Sequence, residues 1–139
     1  TLYAITDGDE AGDLAHQVVS HNFAVAGGTF VAATDILELW ALPPFAKIAS
    51  VRMIGENIGA VNGTLGFMSG EMKSKDPART SGAELFNATA LNVEALCPLL
   101  TIASLQTGAD QARSIGFKSA TDIAAAANKF LHMSISYFY

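Results

Sequence analysis

Pro43 and Pro44 stand side by side between two apolar runs in WALPPFAKIASVRMIGEN, residues 40 to 57. Proline has no backbone N–H and a fixed φ, so this pair excludes a continuous helix and ends any central strand that reaches it. The flanking runs carry Trp, Ile, Val and Met, side chains that pack well on a pleated surface. Strand, rigid corner, strand is the arrangement left open. Neither run contains a group suited to chemistry.

Alternation on both sides of the corner supports strands. In residues 35 to 42, Leu37, Leu39 and Ala41 share one face, and Ile36, Glu38 and Trp40 share the other. Trp40 is therefore expected to point away from the core with Glu38. Beyond the corner, Ile48 falls on one face and Val51 and Met53 on the other. One extra residue near Ala49–Ser50 restores a common apolar face, which predicts a bulge. The final FLHMSISYFY alternates strictly, with Leu131, Met133, Ile135, Tyr137 and Tyr139 on one side. QVVSHNFAV (17–25) aligns Val19, Phe23 and Val25, TLGFMS aligns Leu65 and Phe67, and ARSIGFK aligns Ile115 and Phe117. Turn signals lie at AGG (26–28) and at Asn62–Gly63, a hairpin dipeptide. Residues 69–82 are polar and read as a long surface loop. Two stretches fit either class. Residues 83–105 read as a helix ending at Pro98 or as short strands, and Thr121 is placed to cap an alanine-rich helix. The pattern predicts an all-β fold: a jelly-roll-like β-sandwich of about eight strands in a single domain, 1–139, with residues 1–15 as an extended N-terminal arm.

Composition narrows the function classes. Half of the 139 residues are apolar and 15% are charged, which opposes disorder and favours assembly through apolar surface. The net charge is −5 and the eight Lys and Arg are scattered, so no nucleic-acid partner is expected. No apolar run reaches the ~18 residues of a membrane helix, and no signal peptide is expected at the start. The lone Cys97, within EALCPLL, permits no internal disulfide and reads as a buried, inert thiol.

Motifs for chemistry are incomplete. DGDEAGD places Asp7, Asp9, Gly12 and Asp13 at four EF-hand-like positions. Ala11 and Val18 stand where further ligands belong, so the stretch reads as a solvated acidic turn. His16, His21 and His132 form no HxH or HExxH spacing, and His132 reads as a half-buried strand residue. GFMSGE is not a nucleophile elbow, and GENIG and GTLGFMSG lack the lysine of a phosphate loop. NGT and NAT match the glycosylation sequon, a pattern of little specificity. No catalytic residue, cofactor or metal is expected. The concentrated feature is apolar and aromatic: Trp40, Pro43, Pro44, Phe45, Tyr137, Phe138 and Tyr139 are the candidate protein-interface residues.

The residue order TDILELWALPPFAKIASVRMIGENIG resembles a segment of small structural proteins of tailed bacteriophages, with Asp35, Leu42, Pro43, Ala46, Lys47 and Ile48 at the turn, corner and following strand. GTLGFMSGEMKSKDPARTSGAELFNATAL and ATDIAAAANKFLHMSISYFY are similar to that family's glycine-bearing strand, polar loop and closing strand. The likeness runs over residues 30–139, and 93–105 departs from it. What it implies is a head decoration or cement protein of jelly-roll type, not an enzyme, lying on the outer capsid surface of the virion. Its implied partners are the major capsid protein and further copies of itself, as a homotrimer. The loop at 69–82 is then expected to be free to reach a neighbour, and the arm to lie over the capsid or an adjacent copy. The acidic charge suits a location away from packaged nucleic acid. Two rival readings are a jelly-roll carbohydrate- or receptor-binding module of a virion fibre or tail, with Trp40 as its stacking platform, and a cupin-like metalloenzyme.

Overall fold

The computed structural model describes residues 14–24, 28–106 and 109–139. Among them run β1 (Ala15–Asn22), β2 (Leu37–Leu42), β3 (Lys47–Glu56), β4 (Asn62–Phe67), β5 (Phe86–Ala90), β6 (Ala95–Leu96), α1 (Leu99–Ser104), β7 (Arg113–Ser119) and β8 (Phe130–Phe138). They form two antiparallel four-stranded sheets, β1-β8-β3-β6 and β2-β7-β4-β5. The first strand pairs with the eighth, the second with the seventh, the third with the sixth and the fourth with the fifth. The chain is thus one long hairpin rolled into a sandwich, the jelly-roll-like order. Ala15 belongs to β1 and not to the expected arm at 1–15, and residues 1–13, with the rest of that arm and the EF-hand-like stretch, lie outside the described residues.

Side-chain alternation explains the sheets. Leu131, Met133 and Ile135 of β8 face inward at 0–1% exposure. The predicted bulge is present: β3 slips register against β8 between Ile48 and Ser50. Ala49 is the extra residue, and Ile48, Val51 and Met53 all reach the core. A second bulge was not evident from the sequence. In β2 the register shifts between Glu38 and Trp40. Glu38 faces outward and Leu42 is fully buried. An unbroken strand would put both on one face, so an extra residue must intervene. Trp40 therefore pairs with Ile115 and packs against the core, correcting the expectation that it points outward with Glu38. Leu42, Leu65, Ile115 and Phe117 meet Val51, Met53 and β8 between the sheets, each such burial contributing about 1.5–3 kcal/mol.

The loop at 69–82 is held to its own sheet, which corrects the expectation that it is free to reach a neighbour. It lies over the outer face of the second sheet, where glycines make room. A Cβ on Gly66 would meet the Gly82 carbonyl oxygen at 2.2 Å, and one on Gly116 would meet Met68 Cγ at 2.5 Å. Arg79 is buried and its guanidinium pairs with Glu38 while donating to the Ser69 and Ser74 carbonyls. The Lys73 backbone N–H and the Ser114 hydroxyl also donate to Glu38, at 2.9 and 3.0 Å. Burial alone would push the Glu38 carboxyl up, but these hydrogen bonds and the Arg79 charge outweigh it and hold the group below its ordinary value.

The ambiguous stretches resolve by tertiary contact. Residues 83–105 contain both classes: β5, β6 and then α1. Pro98 precedes the helix instead of ending one, a placement that forfeits no intrahelical bond. Residues 121–129 form no helix. Ile123 instead exchanges backbone hydrogen bonds with Phe30 at 2.8 and 2.9 Å, and its side chain is buried. Asn62–Gly63 is not a hairpin turn but the start of β4. The β3–β4 turn comes earlier, at Asn57 and Gly59, both with positive φ, and it crosses between sheets.

Candidate interaction surface

β2 ends at Leu42 because the two prolines follow it. The Ala46 N–H donates back to the Pro43 carbonyl at 3.2 Å, closing a tight corner. Phe45 sits inside that corner with φ +64°, and its N–H donates to the Ala109 carbonyl at 2.6 Å. A bulky side chain in the left-handed region costs about 1–2 kcal/mol where glycine would cost little. The ring is nevertheless 62% exposed. A strained backbone thus presents an aromatic ring to solvent at the tip of a rigid corner.

The end of β8 lies at the same end of the first sheet, because Lys47 pairs with Phe138 and Ile48 with Tyr137. Tyr137 faces inward and meets Trp40 at 5.2 Å between ring centroids, closing the sandwich. Tyr139 stands edge-on to Tyr137 at 6.3 Å and is 71% exposed. Phe138, on the outer face, lies under the Lys47 ammonium at 5.9 Å. Of the seven candidates, Pro44, Phe45 and Tyr139 are exposed, Pro43 and Phe138 are half-buried, and Trp40 and Tyr137 pack on each other. With its ring against Tyr137, Trp40 does not stand free as a stacking platform.

A second apolar strip escaped the reading of the sequence. Leu96, Leu99 and Leu100 are 63%, 80% and 86% exposed at the β6–α1 edge of the first sheet. At the opposite edge, Leu14 and Val18 are also exposed. The usable signal was PLL after a two-residue strand: a helix of one and a half turns cannot bury every apolar side chain it carries.

The outer face of the first sheet is polar. His16 hydrogen-bonds Ser136 through Nδ1 at 2.9 Å and Ser134 through Nε2 at 3.2 Å. Ser20 Oγ, His132 and Glu56 form a row across β1, β8 and β3, with both contacts at 2.7 Å. These are the residue types of a hydrolase triad, but the row lies on an open sheet face. Backbone N–H groups along paired strands bond across the β1–β8 ladder and are not gathered into an oxyanion hole. It reads as cross-strand pairing. His21 points inward, edge-on to Phe23 at 5.0 Å, and burial lowers its pKa. Among the described residues no three His, Cys, Asp or Glu gather as metal ligands. Cys97 is buried, with its thiol pushed up by desolvation.

No family model matches the chain. A chain from the capsid of Ralstonia phage GP4 shares its fold with a TM-score of 0.75 and 26% identity, over 97% of this chain and 90% of that one. A chain of the cyanophage Pam1 capsid asymmetric unit aligns with a TM-score of 0.58 at 16% identity, over 99% and 93%, a likeness of fold. A shorter sequence likeness points elsewhere: 79 residues are 37% identical to the phenylalanine–tRNA ligase alpha subunit of Streptomyces avermitilis. That match takes in 57% of this chain, which spans 22% of the relative's length. A match to about a fifth of an enzyme carries none of its activity to this chain. The near-complete match supports a capsid-type structural protein of a bacteriophage virion.

Proposed function

We propose that this chain is a capsid decoration, or cement, protein: one sandwich domain that binds the outer surface of a phage head and bridges the subunits beneath it. The observation that carries this reading is the match, end to end, to a chain of a phage capsid. The surface supplies the means. Phe45, Pro44 and Tyr139 form a rigid aromatic end suited to anchoring on the major capsid protein. The strips at Leu96–Leu100 and at Leu14–Val18 occupy opposite edges of one sheet, so pairing one with the other between copies is head-to-tail and can close into a homotrimer. A standard interface of about 1,600 Å², repeated by symmetry, would add large total stability to a pressurised shell.

The test is to mix purified protein with undecorated capsids and sediment them. Stoichiometric retention with the shell, reduced at least tenfold in affinity by Phe45→Ala, is the expected result. Protein left in the supernatant with every capsid tried would overturn the proposal.

A further inference from the structure

A cleft of about 440 Å³ runs between β2 and the loop that covers the second sheet, lined by Trp40, Met68, Met72, Lys73, Lys75 and Arg79 among others. β2 is the edge strand of its sheet, so one flank has no partner strand among the described residues. The lining is unusually basic for this molecule. Three of the eight Lys and Arg are here, in a chain of net charge −5. The lining carboxylate, Glu38, is engaged by Arg79, which leaves the charges of Lys73 and Lys75 unmatched within the cleft. Arg79 Nη2 is buried and has no acceptor among the described residues. An open strand edge, an apolar floor that includes Met72 (42% exposed) and unmatched positive charge together suit an acidic, partly apolar extended peptide.

The chain carries such a peptide at its start. TLYAITDGDEAGD has four of the thirteen acidic residues and no Lys or Arg. At a spacing of two, Tyr3, Ile5, Asp7, Asp9 and Asp13 fall on one side of an extended segment. Its point of attachment is close. Ala15 pairs with Tyr137, Tyr137 meets Trp40 at 5.2 Å, and Trp40 lines the cleft. Thirteen residues at ~3.3 Å each give about 40 Å of reach, and tethering gives an effective concentration that favours the same copy over a second one. We infer that the β2 cleft is the docking site for residues 1–13 of the same chain, apolar residues on the floor and aspartates toward Lys73 and Lys75.

This inference concerns the isolated full-length chain and stands apart from the virion reading. It is tested with a nitroxide on Thr6→Cys, Cys97 being buried, and amide spectra of the 15N-labelled chain. Signals of Leu39, Trp40 and Lys73 are expected to lose at least half their intensity. They are expected to recover at about 0.5 M salt, where screening is strong, and in Lys73→Glu/Lys75→Glu. Adding Asp7→Lys/Asp9→Lys to that variant should restore the broadening, which shows that the variant is folded and that charge pairing is the cause. Samples mixing 15N chains without spin label and unlabelled chains with it should show none. Broadening that is absent, insensitive to charge reversal, or seen only in mixed samples would overturn the inference.

Discussion

Phe45 pairs a backbone conformation suited to glycine with an exposed ring, two features that folding alone does not favour. Phe45→Gly should therefore separate folding from adhesion. It is expected to raise stability by about 1 kcal/mol in urea denaturation, while capsid attachment falls at least tenfold. Glu38 gives a pH dependence of definite sign. Its folded pKa lies below its ordinary value, so its stabilising contribution is complete above the ordinary carboxylate range and is lost as pH falls through the folded value. Urea midpoints from pH 7 downward should drop more steeply for the natural chain than for Glu38→Gln, which has no charge to lose. Equal slopes would place the acid sensitivity elsewhere.

At the scale of elements, most strands were legible because one face is buried and period-two patterning must appear. The β3 bulge was legible for the same reason: Ile48 and Val51 cannot both face inward without it. Deleting Ala49 should therefore leave Ile48 and Val51 two positions apart on the inward face of an unbulged strand, and the variant is expected to keep cooperative thermal unfolding. The β2 bulge was not legible, because its cause is Arg79, forty-one residues away, which requires Glu38 on the outside. The 83–105 and 121–129 stretches failed for a related reason. Their local preferences are weak, and contacts to Val51, Ile48 and Phe30 decided the outcome. There the residues flanking α1 take over the edge of β3 where β6 stops. The Cys97 N–H donates to the Val51 carbonyl and Gln106 Nε2 to the Ile48 carbonyl, at 2.9 and 2.8 Å. Gln106→Ala should cost about 1 kcal/mol in urea denaturation, the net worth of such a bond. Of the candidate site, the proline corner and the C-terminal aromatics were visible as composition. Leu99 and Leu100 were not, since only the shortness of the helix exposes them.

The whole molecule is a rolled hairpin in which the strand at the start of the described chain closes against the strand at its end, Ala15 beside Tyr137. That ordering governs how the protein is made. A ribosome delivers β8, the partner of β1, only after every other described strand, so the first sheet cannot be completed until β8 has emerged. Until then β3, with its row of buried apolar side chains, has no neighbour on the side that β8 will occupy. Slow folding follows from so many distant pairings. Production at lower temperature, or with holdase chaperones, is expected to raise the soluble yield by sheltering that unpaired strand.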